Sequence, residues 1–276
     1  MKKLSRMLKF TVLGSGSSGN SVLISNDKTN VLIDAGLSAR EILRRVSAVG
    51  IHYEKIDAVV ITHEHSDHIG GLRVLMQTLK CPVFLSELTL EAYFRQTKEK
   101  EYQKRLETLH GRTVTIDSNS HFKIGSIDFY PFSVPHDAAD NFGFVAESNG
   151  IRIASVMDFG QMTTLINEKL RRCDAIVIES NHNRDMLMAC PFYPWELKQR
   201  IASNTGHFSN EDLSKWLTND FDGKASYIVL AHLSQRTNEP NLALLSAQTA
   251  LNLRPQKCET KLLLSHPKEP TEWIIF

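Results

Sequence analysis

No stretch of the 276 residues approaches the roughly 20 consecutive apolar residues that a membrane span requires. The opening segment, 1–10, lacks the apolar core of a signal peptide, because Lys2, Lys3, Arg6 and Lys9 break it up. A cytoplasmic protein without membrane contact is expected. Net charge is also scarce: 32 Lys and Arg stand against 31 Asp and Glu. That balance excludes a generic polyanion coat and requires a nucleic-acid partner to be met by a local patch. Cysteine is sparse and scattered. Cys81, Cys173, Cys190 and Cys258 form no Cys-x-x-Cys pair, so reduced thiols are expected rather than a disulfide frame or a thiolate metal site. No repeat and no low-complexity linker divides the chain, which is read as a single domain over 1–276.

What is present is an alternation of short apolar, β-branched runs with amphipathic stretches, the pattern of an α/β protein. Strands are expected at 10–13, 21–25, 30–33, 58–62, 82–85, 126–131, 142–147, 152–155, 175–179, 226–231 and 261–264. Helices are expected at 38–49, 68–80, 88–109, 163–170, 194–203, 210–221 and 241–252. Turn signals at Lys123-Ile124-Gly125 and Ser148-Asn149-Gly150 predict hairpins, hence mixed sheets.

Chemistry concentrates in Thr62-His63-Glu64-His65-Ser66-Asp67-His68. A His-x-His-x-Asp-His string should arise by chance about once in a thousand such sequences. The apolar run Ile56 to Ile61 would deliver His63 at a strand end. In extended chain His63 and His65 face the same way and can grip one ion, while Asp67 and His68, at the start of the following helix, point to a second position. Imidazole and carboxylate together are the ligand set of hard-to-borderline divalent cations. Other apolar runs also end in a possible ligand: Asp34 after Val31-Leu32-Ile33, His136 after 130–135, Asp158 after 153–157 and His232 after 227–231. Strand ends are where sites assemble in α/β folds.

The order Asp34, His63-x-His65-x-Asp67-His68, His136, Asp158, His232 resembles the metallo-β-lactamase superfamily, which implies a four-layer αβ/βα sandwich with mixed sheets and a dinuclear metal site. By that resemblance His63, His65 and His136 would hold one metal, Asp67, His68 and His232 the other, and Asp158 would bridge them, with Asp34 orienting a ligand or its loop. The segments 13–20, 34–38, 179–182, 206–210 and 231–234 are similar to the YycJ (WalJ) branch, regarded as 5′-exonucleases on DNA and related to ribonucleases Z and J. Two positions depart from that pattern, Asn183 in place of Asp and Thr237 in place of Asn. Only about 70 residues separate Asp158 from His232, too few for a β-CASP insertion.

The implied reaction is phosphodiester hydrolysis, in which two cations ~3.5–4 Å apart share a hydroxide. Zinc, manganese and iron all suit the ligands. Asp67, His207 and His182 are the proton-handling candidates. Substrate oxygens would meet Ser15, Ser17, Ser18 and Asn20 in the Gly-rich loop, Ser209 and Asn210 at a helix start, and Ser234 and Asn238 after His232. Ser209 and Asp212 also fit a capping box. The basic stretch 94–112 is read first as a solvated helix face and second as a DNA-backbone track. Alternatives are a hydrolase of a small ester, thioester, lactam or cyclic phosphate, and an iron-dependent oxidoreductase on the same scaffold. The oligomeric state is left open.

Overall fold

The computed structural model describes residues 7–95 and 97–276. Lys2, Lys3 and Arg6, on which the reading of the N-terminus rests, lie outside them.

Two seven-stranded sheets organise the chain. The first contains β1 (Leu8–Gly14), β2 (Ser21–Asn26), β3 (Asn30–Ile33), β4 (Ala58–Val60), β5 (Val83–Leu85), β6 (Thr113–Thr115) and the late β14 (Ile274–Ile275), in the order β14-β1-β2-β3-β4-β5-β6. The second contains β7 (Phe122–Ile124), β8 (Ile127–Ser133), β9 (Phe142–Ser148), β10 (Ile151–Val156), β11 (Ala175–Glu179), β12 (Tyr227–Ala231) and β13 (Lys261–Leu264), in the order β13-β12-β11-β10-β9-β8-β7. Both sheets are mixed. The predicted turns at 123–125 and 148–150 close the antiparallel pairs β7/β8 and β9/β10, whereas β3/β4 and β10/β11/β12 run parallel.

Strand periodicity sorts the apolar residues into layers. Val31, Ile33 and Val60 of the first sheet pack against Ala175, Val177 and Val229 of the second, forming the core between sheets. The alternate residues Leu32 and Val59 face outward and are covered by α1 (Ala39–Ala48), α2 (Ser66–Ile69), α3 (Leu72–Thr78), α4 (Glu87–Arg95) and α5 (Glu99–Leu109). On the other side Ile176, Ile178 and Leu230 are covered by α6 (Thr164–Leu170), α9 (Asn210–Asn219) and α10 (Pro240–Asn252). The short α7 (Arg184–Ala189) and α8 (Trp195–Ile201) complete the helices. The result is the four-layer αβ/βα sandwich, with no additional sheet among the described residues between Asp158 and His232. Each aliphatic side chain buried in these cores contributes roughly 1.5–3 kcal/mol relative to exposure.

Several expectations are corrected. The helix expected over 68–80 is two pieces, because Gly70 and Gly71 approach other backbone: a Cβ on Gly71 would lie 2.0 Å from the Leu37 carbonyl oxygen. The helix expected over 88–109 is also two, α4 and α5. Phe94 packs on Tyr102, and the Arg105 guanidinium lies 3.9 Å from the Tyr93 ring centre, which folds α5 back on α4. Strands β6, β7 and β14 and helix α7 carry no long apolar pattern and escape sequence reading. In the basic stretch, Arg105 donates to the Tyr93 carbonyl, and Arg112 donates to those of Met76, Leu79 and Cys81. Those two cations fasten helices and are not free for a polyanion.

Candidate metal centre

Parallel strands bring their carboxyl ends to one edge of the sandwich, and the apolar runs stop there on polar residues. Asp34 follows β3, His63 follows β4, Asp158 follows β10, Glu179 ends β11 and His232 follows β12. Three of them have left-handed backbone: Asp34 (φ 65°), Asp158 (φ 56°) and His232 (φ 53°). Such conformations cost of order 1–3 kcal/mol each, and they break the strand while turning the side chain toward the neighbouring strand end. Gly36 lets the two halves of the site meet, since a Cβ there would sit 1.6 Å from the Asp67 carbonyl oxygen.

Hydrogen bonds fix which nitrogen of each imidazole faces inward. Asp34, fully buried, accepts from the Thr62 N–H (2.8 Å), the Thr62 hydroxyl (3.0 Å) and His68 Nδ1 (2.7 Å). The Thr62 hydroxyl in turn takes the N–H of His63 Nδ1 at 2.9 Å. His136 Nδ1 donates to the Thr205 carbonyl at 3.0 Å. His232 Nδ1 and His207 Nδ1 both donate to Glu179 Oε1 at 2.8 Å, while Glu179 Oε2 accepts the N–H groups of Phe159 and Phe208 at 3.1 Å. The Nε2 lone pairs of His63, His68, His136 and His232 are thereby left to converge.

They converge in two adjoining groups. One ligand atom from each of His63, His65 and His136 lies within 4.8 Å of the others, and the same holds for Asp67, His68, Asp158 and His232. Asp158 Oδ2 is 2.5 Å from His68 Nε2 and 3.6 Å from His63 Nε2, so this carboxylate touches both groups. His63 Nε2, His232 Nε2 and both Asp158 oxygens are buried without an aligned hydrogen-bond partner. Four converging buried atoms of this kind are what a cation satisfies, and the donor set fits divalent metal ions. A third grouping, Asp158 with Glu179, His207 and His232, has the same compactness. Glu179, however, has both oxygens occupied by four N–H donors, so it acts as an anchor for rings rather than as a ligand.

Electrostatics follow from this packing. Burial opposes charge on His68 and His232, yet the carboxylates beside them hold both well above the ordinary histidine value. Burial, reinforced by neighbouring His68, pushes His63 well below it. Against the cost of burial, Glu179 and Asp158 lift His207 to about 9, and the two rings draw Glu179 down to about 2.

A Beta-lactamase superfamily domain profile matches residues 29–232, most of the chain and all of this ligand set. The chain belongs to that superfamily. Within it, the chain is 32% identical over 250 residues to exodeoxyribonuclease YycJ of Bacillus anthracis, covering 88% of this chain and 89% of the relative. It is also 32% identical to exodeoxyribonuclease WalJ of Streptococcus pneumoniae, covering 85% of each. Among solved structures, the metallo-β-lactamase fold protein YhfI of Bacillus subtilis superposes with a TM-score of 0.69 at 15% identity, over 96% of this chain and 99% of that one. This superfamily member is a metal-dependent hydrolase. No described helix is long and apolar enough to cross a membrane.

The other residues singled out in the sequence of this superfamily member divide by position. A cavity of about 410 Å³ is lined by Ser17, His65, Ser66, Asp67, His136, Asp158, Arg200, His207 and His232. Ser17 and Ser18 are exposed, and Ser17 faces this cavity. Ser15 and Asn20 are instead spent internally: Ser15 Oγ donates to Asn20 Oδ1 and accepts the His232 N–H, and Asn20 Nδ2 lies 3.0 Å from His68 Nε2. Asn210 and Asn238 pair with each other and with Ser180, buried beneath the site, and Ser209 caps α9. Ser234 Oγ accepts from Thr237. These side chains are hydrogen-bonded within the loops that carry His207 and His232. His182 is buried, and burial lowers its pKa to about 4, which favours the neutral ring near neutrality. Asn183 caps α7 as Asp would, and its Nδ2 also donates to Glu211 at 2.6 Å.

Sequence reasoning missed four contributors. Glu179 ends an apolar run as Asp158 does, and the same rule would have found it. Thr62 relays Asp34 to His63. Glu64 accepts the Ala139 N–H at 2.8 Å and ties down the loop that carries His136. Arg200 pairs with Asp137 at the cavity, and only the fold brings it there.

Proposed function

We propose that the chain is a nuclease that removes nucleotides from the 5′ end of DNA, using two divalent cations. The observation that carries this reading is the pair of adjoining ligand groups sharing Asp158 at the strand ends. The exodeoxyribonuclease relatives, alike over nearly the whole chain, support the substrate class. His63, His65 and His136 would hold one cation and Asp67, His68 and His232 the other, with Asp158 between them. Cations there would acidify water and neutralise charge that develops on the phosphate.

The protein's own groups then have defined tasks. Asp34, Thr62 and Glu179 hold the rings in the orientation that presents Nε2. Asp67, partly exposed in the cavity and held below its ordinary pKa by His232 and His68 against the cost of burial, is ionised and takes the proton of the attacking water. His207 gives its Nδ1 proton to Glu179 in a hydrogen bond and keeps Nε2 for the leaving oxygen. In the metal-free chain Glu179 and Asp158, against the cost of burial, raise it to about 9, which favours the protonated ring that a proton donor needs.

The reading is tested by incubating manganese-loaded protein with single- and double-stranded DNA and RNA labelled at either end, with and without a 5′ phosphate. Early release of the 5′ label from DNA as a mononucleotide is expected. First release of the 3′ label, internal cuts, or action on RNA alone would refute it.

A further inference from the structure

Between α7 and α8 the chain runs Cys190-Pro191-Phe192-Tyr193-Pro194, and Trp195 opens α8. Phe192 is 72% and Trp195 59% exposed, and among the described residues no other Phe, Tyr or Trp is more than half exposed. Rings of this size are ordinarily buried, so an exposed pair marks a contact surface. Two chain segments link it to the cavity, the loop after His232 and the helix that Trp195 opens. Arg236, four residues beyond His232, places its guanidinium 5.3 Å from the Phe192 ring centre. Further along the helix that Trp195 opens, Arg200 lines the cavity with His65, His136 and His207.

The chemistry of the occupant follows. Aromatic faces stack nucleobases without regard to sequence, and the Arg236 guanidinium beside Phe192 complements the attached phosphates. A second copy of the chain suits the patch poorly. Two rings of about 150–250 Å² each, partly covered, fall well short of the roughly 800 Å² per partner of a stable protein interface. We propose that Phe192 and Trp195 form a stacking platform for an unpaired nucleobase of the strand whose phosphate enters the cavity. The proposal rests on the nuclease reading and adds to it a site for bases.

The test uses the full-length, manganese-loaded chain and 5′-phosphorylated single-stranded oligonucleotides whose first three nucleotides carry bases or are abasic. The wild type should show a KM about tenfold lower for the base-bearing strand. Phe192→Ala and Trp195→Ala should each shrink that ratio severalfold, with Phe192→Tyr restoring it. Equal KM values for the two strands in the wild type, or a ratio unmoved in both alanine variants, overturns the platform. So does a dimer in sedimentation velocity that Phe192→Ala dissociates, because a second copy then covers the rings. A wild type that cuts no oligonucleotide overturns the nuclease reading and the platform with it, whereas cutting with an unmoved ratio overturns the platform alone.

Discussion

Replacing Glu179 by Gln changes one oxygen for an NH2 group at nearly constant volume, at a position with no exposure. Glu179 Oε1 serves two ring N–H groups and Oε2 two backbone N–H groups, so whichever end the amide nitrogen takes, two donors lose their acceptor and face another donor. Hydrogen bonds to a charged acceptor contribute about 1.5–3 kcal/mol each, which puts the loss at about 3–6 kcal/mol. The carboxyl gives a compatible figure from its titration. Its pKa falls from 4.5 to about 2, equivalent to about 3 kcal/mol of stability that is present above pH 4.5 and lost as pH falls toward 2. Urea denaturation of metal-free Glu179→Gln should therefore show a destabilisation of about 3 kcal/mol or more at pH 7, and a shallower acid limb than the wild type. Metal affinity, measured by competition with a chelator, should fall about 10–100-fold because His232 loses its orientation. A variant within about 1 kcal/mol of the wild type at pH 7, with metal affinity unchanged, would refute the anchoring role.

Gly36→Ala should displace the loop carrying Asp67 and His68, costing about 3 kcal/mol and most of the metal content by elemental analysis, since the added Cβ falls on the Asp67 carbonyl. His207→Gln should lower kcat by about 10²-fold or more while metal content stays at the wild-type level; an unchanged kcat would reject its role as proton donor. Burial pushes the Cys173 thiol up to about 12. The folded chain then keeps that thiol neutral while the unfolded chain ionises it, so stability is full below about pH 8.5 and falls by about 1.4 kcal/mol per pH unit above about pH 9. Cys173→Ala should remove this share of the alkaline slope in urea titrations at successive pH values.

The alternation of apolar runs and amphipathic helices was legible because most of the central strands carry several consecutive β-branched or aliphatic residues, as in Ala175-Ile176-Val177-Ile178. The edge strands β6 and β7 are short and polar, and β14 is two residues long, so their pairing is decided by the sheet they join. The candidate ligands were legible for a related reason: each polar residue that halts a buried run stands out against it. What the pattern could not reveal is why those residues can halt the run, namely the left-handed backbone at Asp34, Asp158 and His232. The buried hydrogen bonds of Asn20 with Ser15, and of Asn210 with Asn238, join residues far apart or unpatterned in sequence, and only the fold displays them.

The central claim, that this ligand cluster performs the hydrolysis, is met most directly by measuring bound metal and release of 5′-labelled nucleotide together, for the wild type and for a variant with both Asp158→Ala and His232→Ala. Metal and activity are expected in the first, and the loss of both in the second. Full nucleotide release by the double variant would contradict that claim.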